Sequence, residues 1–228
     1  MLQAFSGIDT VLLVSGMDAP DMDAPDKHID QHRNMIEAAR SAGVRKLVYT
    51  SVQGAAAGSA FSPIVQSNRQ TEADVKASGL DWVIGRIGIY IDTYKARGEI
   101  ANGAGDGLCA YTTRSELAYA CAHMLTGSKH NGHTYLLHGA PITQAILARH
   151  LGDTFGMAPW YREMTVEAFR AERIAELVEF MGNVIAGIYQ GIRDGAYDEH
   201  SDFDAAAGRP HPSWANDFGT LKNLPIDR

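Results

Sequence analysis

Three short apolar runs, each about one helix apart, constrain this chain more than any other feature. They are DTVLLVS at Asp9–Ser15, KLVYTS at Lys46–Ser51 and DWVIGRI at Asp81–Ile87. A strand with one wet face alternates polar and apolar residues, whereas a continuous run fits a strand covered on both faces. Between the first two runs, Ile29–Ala42 carries Met35, Ile36 and Ala39 at helical spacing and stops at Gly43. Between the second and third, Ile64–Ser78 reads as a helix stopped at Gly79. Glycine is a common residue just past a helix end. Strand–helix–strand–helix–strand at these lengths makes two crossover units, hence a parallel α/β sheet.

The rest of the chain extends this plan. MDAPDMDAPD, after the first run, is expected to be a polar loop. Gly98–Leu108 reads as a Gly-rich loop, and Arg114–Leu125 as an amphipathic helix with Leu117, Ala118, Cys121 and Leu125 on one face. His133–Leu137 reads as a further strand. Helices are expected over Gln144–Phe155, Thr165–Phe180 and Val184–Arg193, followed by a polar tail with Pro210, Pro212 and Pro225. The expected organisation is a sheet domain over residues 1–140 and a small helical cap over 141–228, in one continuous unit.

The chain carries 27 acidic against 20 Lys and Arg residues, a net charge of -7. That balance gives a polyanion no long-range attraction, so no nucleic-acid surface is expected and any phosphate binding must be local. No apolar run approaches the ~20 residues that span a bilayer, and MLQAFSGIDT lacks the basic start of a signal peptide. Two cysteines without metal spacing fit a reduced, cytoplasmic protein. His28 and His32 stand at i, i+4, a spacing that can hold a metal on a helix. Neither a third ligand nor an HExxH pattern accompanies them, so a solvated helix start and no metal site are expected. His123, His130, His133, His138 and His150 are scattered and are expected on the surface or in loops.

Four blocks resemble one family. QHRNMIEAARSAGVRKLVYTS resembles a helix and strand of the atypical short-chain dehydrogenases/reductases, and SGLDWVIGRIGIY their next strand and substrate loop. GAGDGLCAYTTRSELAYACAHML and the tail SDFDAAAGRPHPSWANDF are similar to blocks of the NmrA-like branch, nearest its NAD(P)H:quinone oxidoreductase type 2 group. The resemblance implies a Rossmann-like parallel sheet with a small C-terminal helical cap. It also implies NADP or NAD as cofactor and hydride transfer to a small quinone- or azo-like acceptor.

Family members begin with a strand, a GATGxxG turn and a second βα unit, which at ~30 residues per unit come to roughly 60 residues. Those residues precede the segment that resembles Met1–Phe5. The first run is therefore expected to correspond to about the fourth strand of the family. The turn cradles the pyrophosphate, so weak cofactor binding and an open, apolar edge on the Asp9–Ser15 strand are expected. Poor solubility or a homodimer through that edge would follow. Two other readings stand beside the enzyme: a non-catalytic NAD(P)-binding redox sensor or regulator, and a truncated remnant.

Ligands of open parallel sheets bind at the carboxyl ends of the strands. By resemblance, Val14, Ser15 and Gly16 lie near the adenosine side, and Tyr49, Thr50, Ser51, Ile87 and Gly88 near the nicotinamide. Ser51 matches the family's serine, which can hydrogen-bond a carbonyl or quinone oxygen. Its usual Tyr-x-x-x-Lys partners are absent. Asn68 stands where relatives carry Lys or His, and it can donate a hydrogen bond but not a proton. Tyr90 is a candidate wall of the substrate pocket. Ser51, Asn68 and Tyr90 are the candidate catalytic set. Arg86 reads either as structural or as a phosphate ligand.

Overall fold

The apolar runs assemble into one parallel sheet. A computed structural model describes residues 2–14, 25–54, 62–94, 99–156, 158 and 160–222. Its first half contains β1 (Thr10–Val14), α1 (Pro25–Ser41), β2 (Lys46–Val52), α2 (Pro63–Ala77), β3 (Asp81–Ile87), β4 (Ile89–Tyr90), β5 (Glu99–Asn102), β6 (Tyr111–Thr112), α3 (Arg114–Leu125) and β7 (His133–Leu137). Then follow α4 (Gln144–Phe155), β8 (Trp160–Glu163), α5 (Val166–Glu176), α6 (Glu179–Arg193), α7 (Phe203–Ala207) and α8 (Trp214–Leu221). The main sheet has the order β1-β2-β3-β7, all parallel. Among the described residues β1 pairs only with β2, so its outer edge is open.

The sheet is covered on both faces, which is why its strands lack polar alternation. Leu47 and Tyr49 pack with Val11, Leu13 and Ile84 against Ile36 and Ala39 of α1 and Val75 of α2. Val48 and Val83 face the other way, onto Leu117, Cys121 and Met124 of α3 and Phe203 and Ala206 of α7. Alternate residues of one strand thus feed two separate cores. Lys46 is fully buried where β2 begins, and its ammonium donates to the Met124 and Gly127 carbonyls at 2.6 and 2.9 Å. It caps the C-terminal end of α3, where a cation meets the negative end of the helix dipole. Arg45 ties the starts of three strands together through Asp9 (2.7 Å) and Asp81 (3.1 Å).

Four expectations need correction. The stretch expected as loop over Gly98–Leu108 contains β5, because Glu99–Asn102 finds a parallel partner in β8. The helix expected over Thr165–Phe180 breaks at Leu177 and Val178, which are extended and exposed, so that α5 and α6 fold back on each other. Ala118 is exposed, and the buried face of α3 is Leu117, Ala120, Cys121 and Met124. His28 and His32, expected to be solvated, are buried between α1 and α2, and His130 and His138 are buried as well. Among the described residues no helix is long and apolar enough to cross a membrane.

Candidate active site

A cavity of about 230 Å³ opens at the carboxyl ends of β2 and β3. The two strands pair until Val52 meets Ile87, and the Gln53 amide still donates to the Ile87 carbonyl at 2.9 Å. Val52 and Gln53 form one side, and Ile87, Gly88, Ile89 and Tyr90 the floor. Ile64 and Val65 enter from the first turn of α2, and Ile188 and Tyr197 close the cavity from the C-terminal region. Gly88 is required by close packing: a Cβ there would stand 2.7 Å from the Ala110 carbonyl oxygen and 3.0 Å from His138 Cβ. Such a separation is far inside van der Waals contact, so any side chain would push β3 away from its neighbours. Ile89 and Ile188 also belong to a larger, more open groove of about 550 Å³. That groove runs over β5 toward Phe169 and Tyr189 and is edged by the Arg162–Glu99 (2.8 Å) and Arg173–Glu176 (2.9 Å) ion pairs.

A buried ion cluster holds the cavity rim. The Glu72 carboxylate, almost wholly buried, accepts from Ser51 at 2.6 Å, Arg69 at 2.7 Å and Arg86 at 2.9 and 2.7 Å. Burial alone would raise its pKa. The hydrogen bonds from Arg86 and Ser51, with the charges of Arg69 and Arg86, outweigh burial and hold the carboxyl below its ordinary value. Arg69 also donates to the Val52 and Gly54 carbonyls at 3.0 and 2.6 Å. Those two carbonyls belong to the turn at the end of β2, where Gly54 takes φ +137°. Arg69 and Glu72 on α2 therefore clamp the strand end that forms one wall of the cavity. Arg86 is an ion-pair residue of this cluster.

The residues singled out from the sequence divide into groups. Ile87, Gly88 and Tyr90 line the cavity. Burial holds the Tyr90 phenol above its ordinary pKa, so it stays protonated, and the Arg114 guanidinium lies over its ring at 5.8 Å. Tyr49, Thr50, Ser51 and Asn68 are buried beside the cavity, Ser51 engaged with Glu72 and Arg69 and the other three with one another or with backbone. Tyr49 Oη donates to Asn68 Oδ1 at 2.5 Å, and Asn68 Nδ2 donates to the Ile64 carbonyl at 2.7 Å. Thr50 Oγ1 reaches the Leu13 carbonyl at 3.4 Å. Val14 ends β1 at 61% exposure and does not line the cavity. Ser15 and Gly16 lie outside the described residues.

Gln53, Ile64, Val65, Ile188 and Tyr197 also line the cavity, and none was singled out in the sequence. Gln53 stands two residues beyond Ser51, where the strand-end rule itself points. Tyr197 lies some hundred and forty residues further on and has no local signal. Among the described residues no group of three or more His, Cys, Asp or Glu side chains can hold a metal. Cys109 and Cys121 are free and buried, and burial pushes the Cys121 thiol up to about 11. Neither is a poised nucleophile.

A family model described as NAD(P)H-binding matches residues 1–128, more than half of the chain. The chain belongs to this NAD(P)H-binding family. Within it the NmrA-like resemblance holds: the chain is 31% identical over 147 residues to an NmrA-like family domain-containing oxidoreductase, flvB, of Aspergillus flavus. That match covers 61% of the chain and 48% of the relative. Quinone oxidoreductase 2 of Escherichia coli is 27% identical over 236 residues, covering 98% of this chain and 79% of that protein. The structure of that NADPH-dependent enzyme complexed with NADPH superposes with a TM-score of 0.83 over 97% of this chain and 79% of its own. Triphenylmethane reductase of Citrobacter sp., complexed with NADP(H), gives a TM-score of 0.78 at 26% identity, over 97% and 79% of the two chains. The parallel sheet with flanking helices and small C-terminal helices is thus the Rossmann-like fold of this family.

Proposed function

We propose that the protein reduces a quinone-like acceptor by hydride transfer from NAD(P)H, with the ring chemistry housed in the cavity at the ends of β2 and β3. The observation that carries this reading is a largely apolar cavity at the carboxyl ends of two adjacent parallel strands, in a chain of an NAD(P)H-binding family. The cavity is large enough for one ring, and a ring bound against Val52, Ile64, Val65, Ile87 and Ile188 would displace water from the reacting centre. When bound, the cofactor supplies the hydride, which is its own chemistry. The protein orients, desolvates and donates hydrogen bonds. Tyr90 is the donor of choice toward an acceptor oxygen, because its phenol stays protonated and the hydroquinone anion needs only modest help. Ser51 and Asn68 serve by holding the strand and helix that carry the walls, since their polar groups are taken up by Glu72, Tyr49 and the Ile64 carbonyl.

The phosphates of a dinucleotide find less. The sequence between β1 and α1 carries Asp18, Asp21 and Asp23, and Asp26 follows in the first turn of α1, acidic charge that repels a diphosphate. Weak cofactor affinity is therefore part of the proposal, with NADP or NAD as the cofactor. A second reading, binding without turnover in a redox-sensing role, draws on the burial of Ser51 and Asn68. Steady-state assays with NADPH and a simple benzoquinone separate the two. Saturable oxidation with a high KM supports the enzyme, and cofactor binding without turnover supports the sensor. The open edge of β1, with Ile8 and Val14 exposed, supports a homodimer formed through that strand. A stable monomer in light scattering at high protein concentration would count against it.

A further inference from the structure

Gln53 is buried to 1% exposure and lines the cavity, and its two amide atoms are used unequally. Its Nε2 stands 3.5 Å from His138 Nε2 and 3.4 Å from the Tyr197 carbonyl oxygen. Its Oε1 is buried and has no hydrogen-bond partner among the described residues. The orientation of the amide follows from its surroundings. His138 is buried, and its Nδ1 lies 2.7 Å from the Gly139 carbonyl oxygen, which can only accept. Nδ1 therefore carries the proton, and burial keeps the ring neutral. Nε2 is left with a lone pair. Two acceptors, His138 Nε2 and the Tyr197 carbonyl, then fix the Gln53 NH₂ on their side. The Gln53 oxygen is turned away from them, a buried acceptor without a donor among the described residues, on a side chain that lines a largely apolar cavity. A buried acceptor left unpaired is costly, which selects for a ligand that brings a donor.

We propose that Gln53 Oε1 accepts a hydrogen bond from the carboxamide NH₂ of a bound nicotinamide and so fixes which way that ring faces. His138 is the positioning residue that holds the Gln53 amide. The inference rests on the cofactor reading above. An oxidised quinone offers only carbonyl acceptors, which the Gln53 oxygen repels, whereas the nicotinamide carboxamide carries two N–H donors. The cavity has room for one such ring and its amide.

The test compares NADP⁺ with its 3-acetylpyridine analogue, in which a methyl ketone replaces the carboxamide and the N–H donors are gone. Dissociation constants are read by ligand-observed NMR titration of the 228-residue protein, a method suited to weak binding. Wild type is expected to prefer NADP⁺ by about tenfold, the effect of one buried acceptor left unpaired. Gln53→Met, which keeps the side-chain volume, is expected to bring the ratio near one, and His138→Phe to reduce it. The ratio does not depend on small losses of stability, since both ligands meet the same folded protein. Equal ratios in wild type and Gln53→Met overturn the assignment and leave the cofactor reading standing. So does a variant that weakens hydroquinone binding while the dinucleotide ratio stays unchanged, since the acceptor would then serve the substrate. Absence of binding by either dinucleotide to wild type overturns the cofactor reading and this inference with it.

Discussion

Replacing Glu72 by Ala should unfold the protein at a much lower temperature, and the structure sets the size of the loss. Four hydrogen bonds from Ser51, Arg69 and Arg86 end on this one carboxylate, and almost none of it reaches solvent. Removing one partner of a buried ion pair costs about 3–5 kcal/mol, because the remaining charge is left without compensation. Here two guanidiniums would be left facing each other. Burial already holds Arg69 below its ordinary pKa, and the Arg86 charge adds to that. For a chain of this length, 1 kcal/mol moves the melting temperature by about 2–4 °C. Glu72→Ala should therefore melt about 6–20 °C below wild type. In urea, the midpoint should fall at an unchanged slope. The same variant frees Arg69 from its carboxylate and should loosen its grip on the Val52 and Gly54 carbonyls, so the cavity rim should exchange amide protons faster. Replacing Arg69, Glu72 and Arg86 together by Met should recover part of the loss, since an apolar set carries no unpaired charge. A Glu72→Ala protein within about 1 kcal/mol of wild type would refute the view that this cluster is dry and mutually dependent.

Three further outcomes are expected. Burial, then the charge of neighbouring His28, lowers the His32 pKa from 6.5 to about 4, so between those values the unfolded chain binds more protons than the folded one. Stability should fall as pH drops from about 6.5 toward 4, by up to ~3 kcal/mol, and the fall should flatten in His32→Asn; denaturant midpoints across that range decide it. Burial, then the charge of Glu116, raises the Asp217 pKa from 3.8 to about 7, so its contribution is fully present below pH 3.8 and lost as pH rises through 7. Asp217→Asn should raise the melting temperature at pH 8 and leave it unchanged at pH 4. Gly88→Ala should cost about 1–3 kcal/mol by driving a Cβ into the Ala110 carbonyl and His138, a loss visible in thermal unfolding.

How much of this could be read from the sequence depended on whether a residue is apolar. β2, β3 and β7 were legible because covered strands are continuous apolar runs, and the observed bounds follow them to within a residue. β5 and β8 were not, because four-residue strands of mixed polarity carry no period, and their pairing is set by contacts sixty residues apart. The break between α5 and α6 was hidden because Leu177 and Val178 look like helix interior, although both are exposed. The same asymmetry governs the site. Ile87, Gly88 and Tyr90 could be found from the strand-end rule. The same rule reaches Gln53, but Glu72, His32 and His138 could not be found, since a polar residue is buried only when distant partners satisfy it, and composition does not report partners. The structure thus moves attention from Ser51 and Asn68, which are engaged in holding the walls, to Tyr90 and Gln53 on the cavity surface.

The most direct measurement follows deuterium from C4 of NADPH into products with a simple benzoquinone as acceptor. The account predicts saturable turnover with a high KM for NADPH, transfer from only one of the two C4 positions, and a weakened preference between those positions in Gln53→Met. Turnover absent at saturating cofactor, or deuterium lost equally from both positions in wild type, would contradict the claim that this cavity orients the nicotinamide ring for hydride transfer.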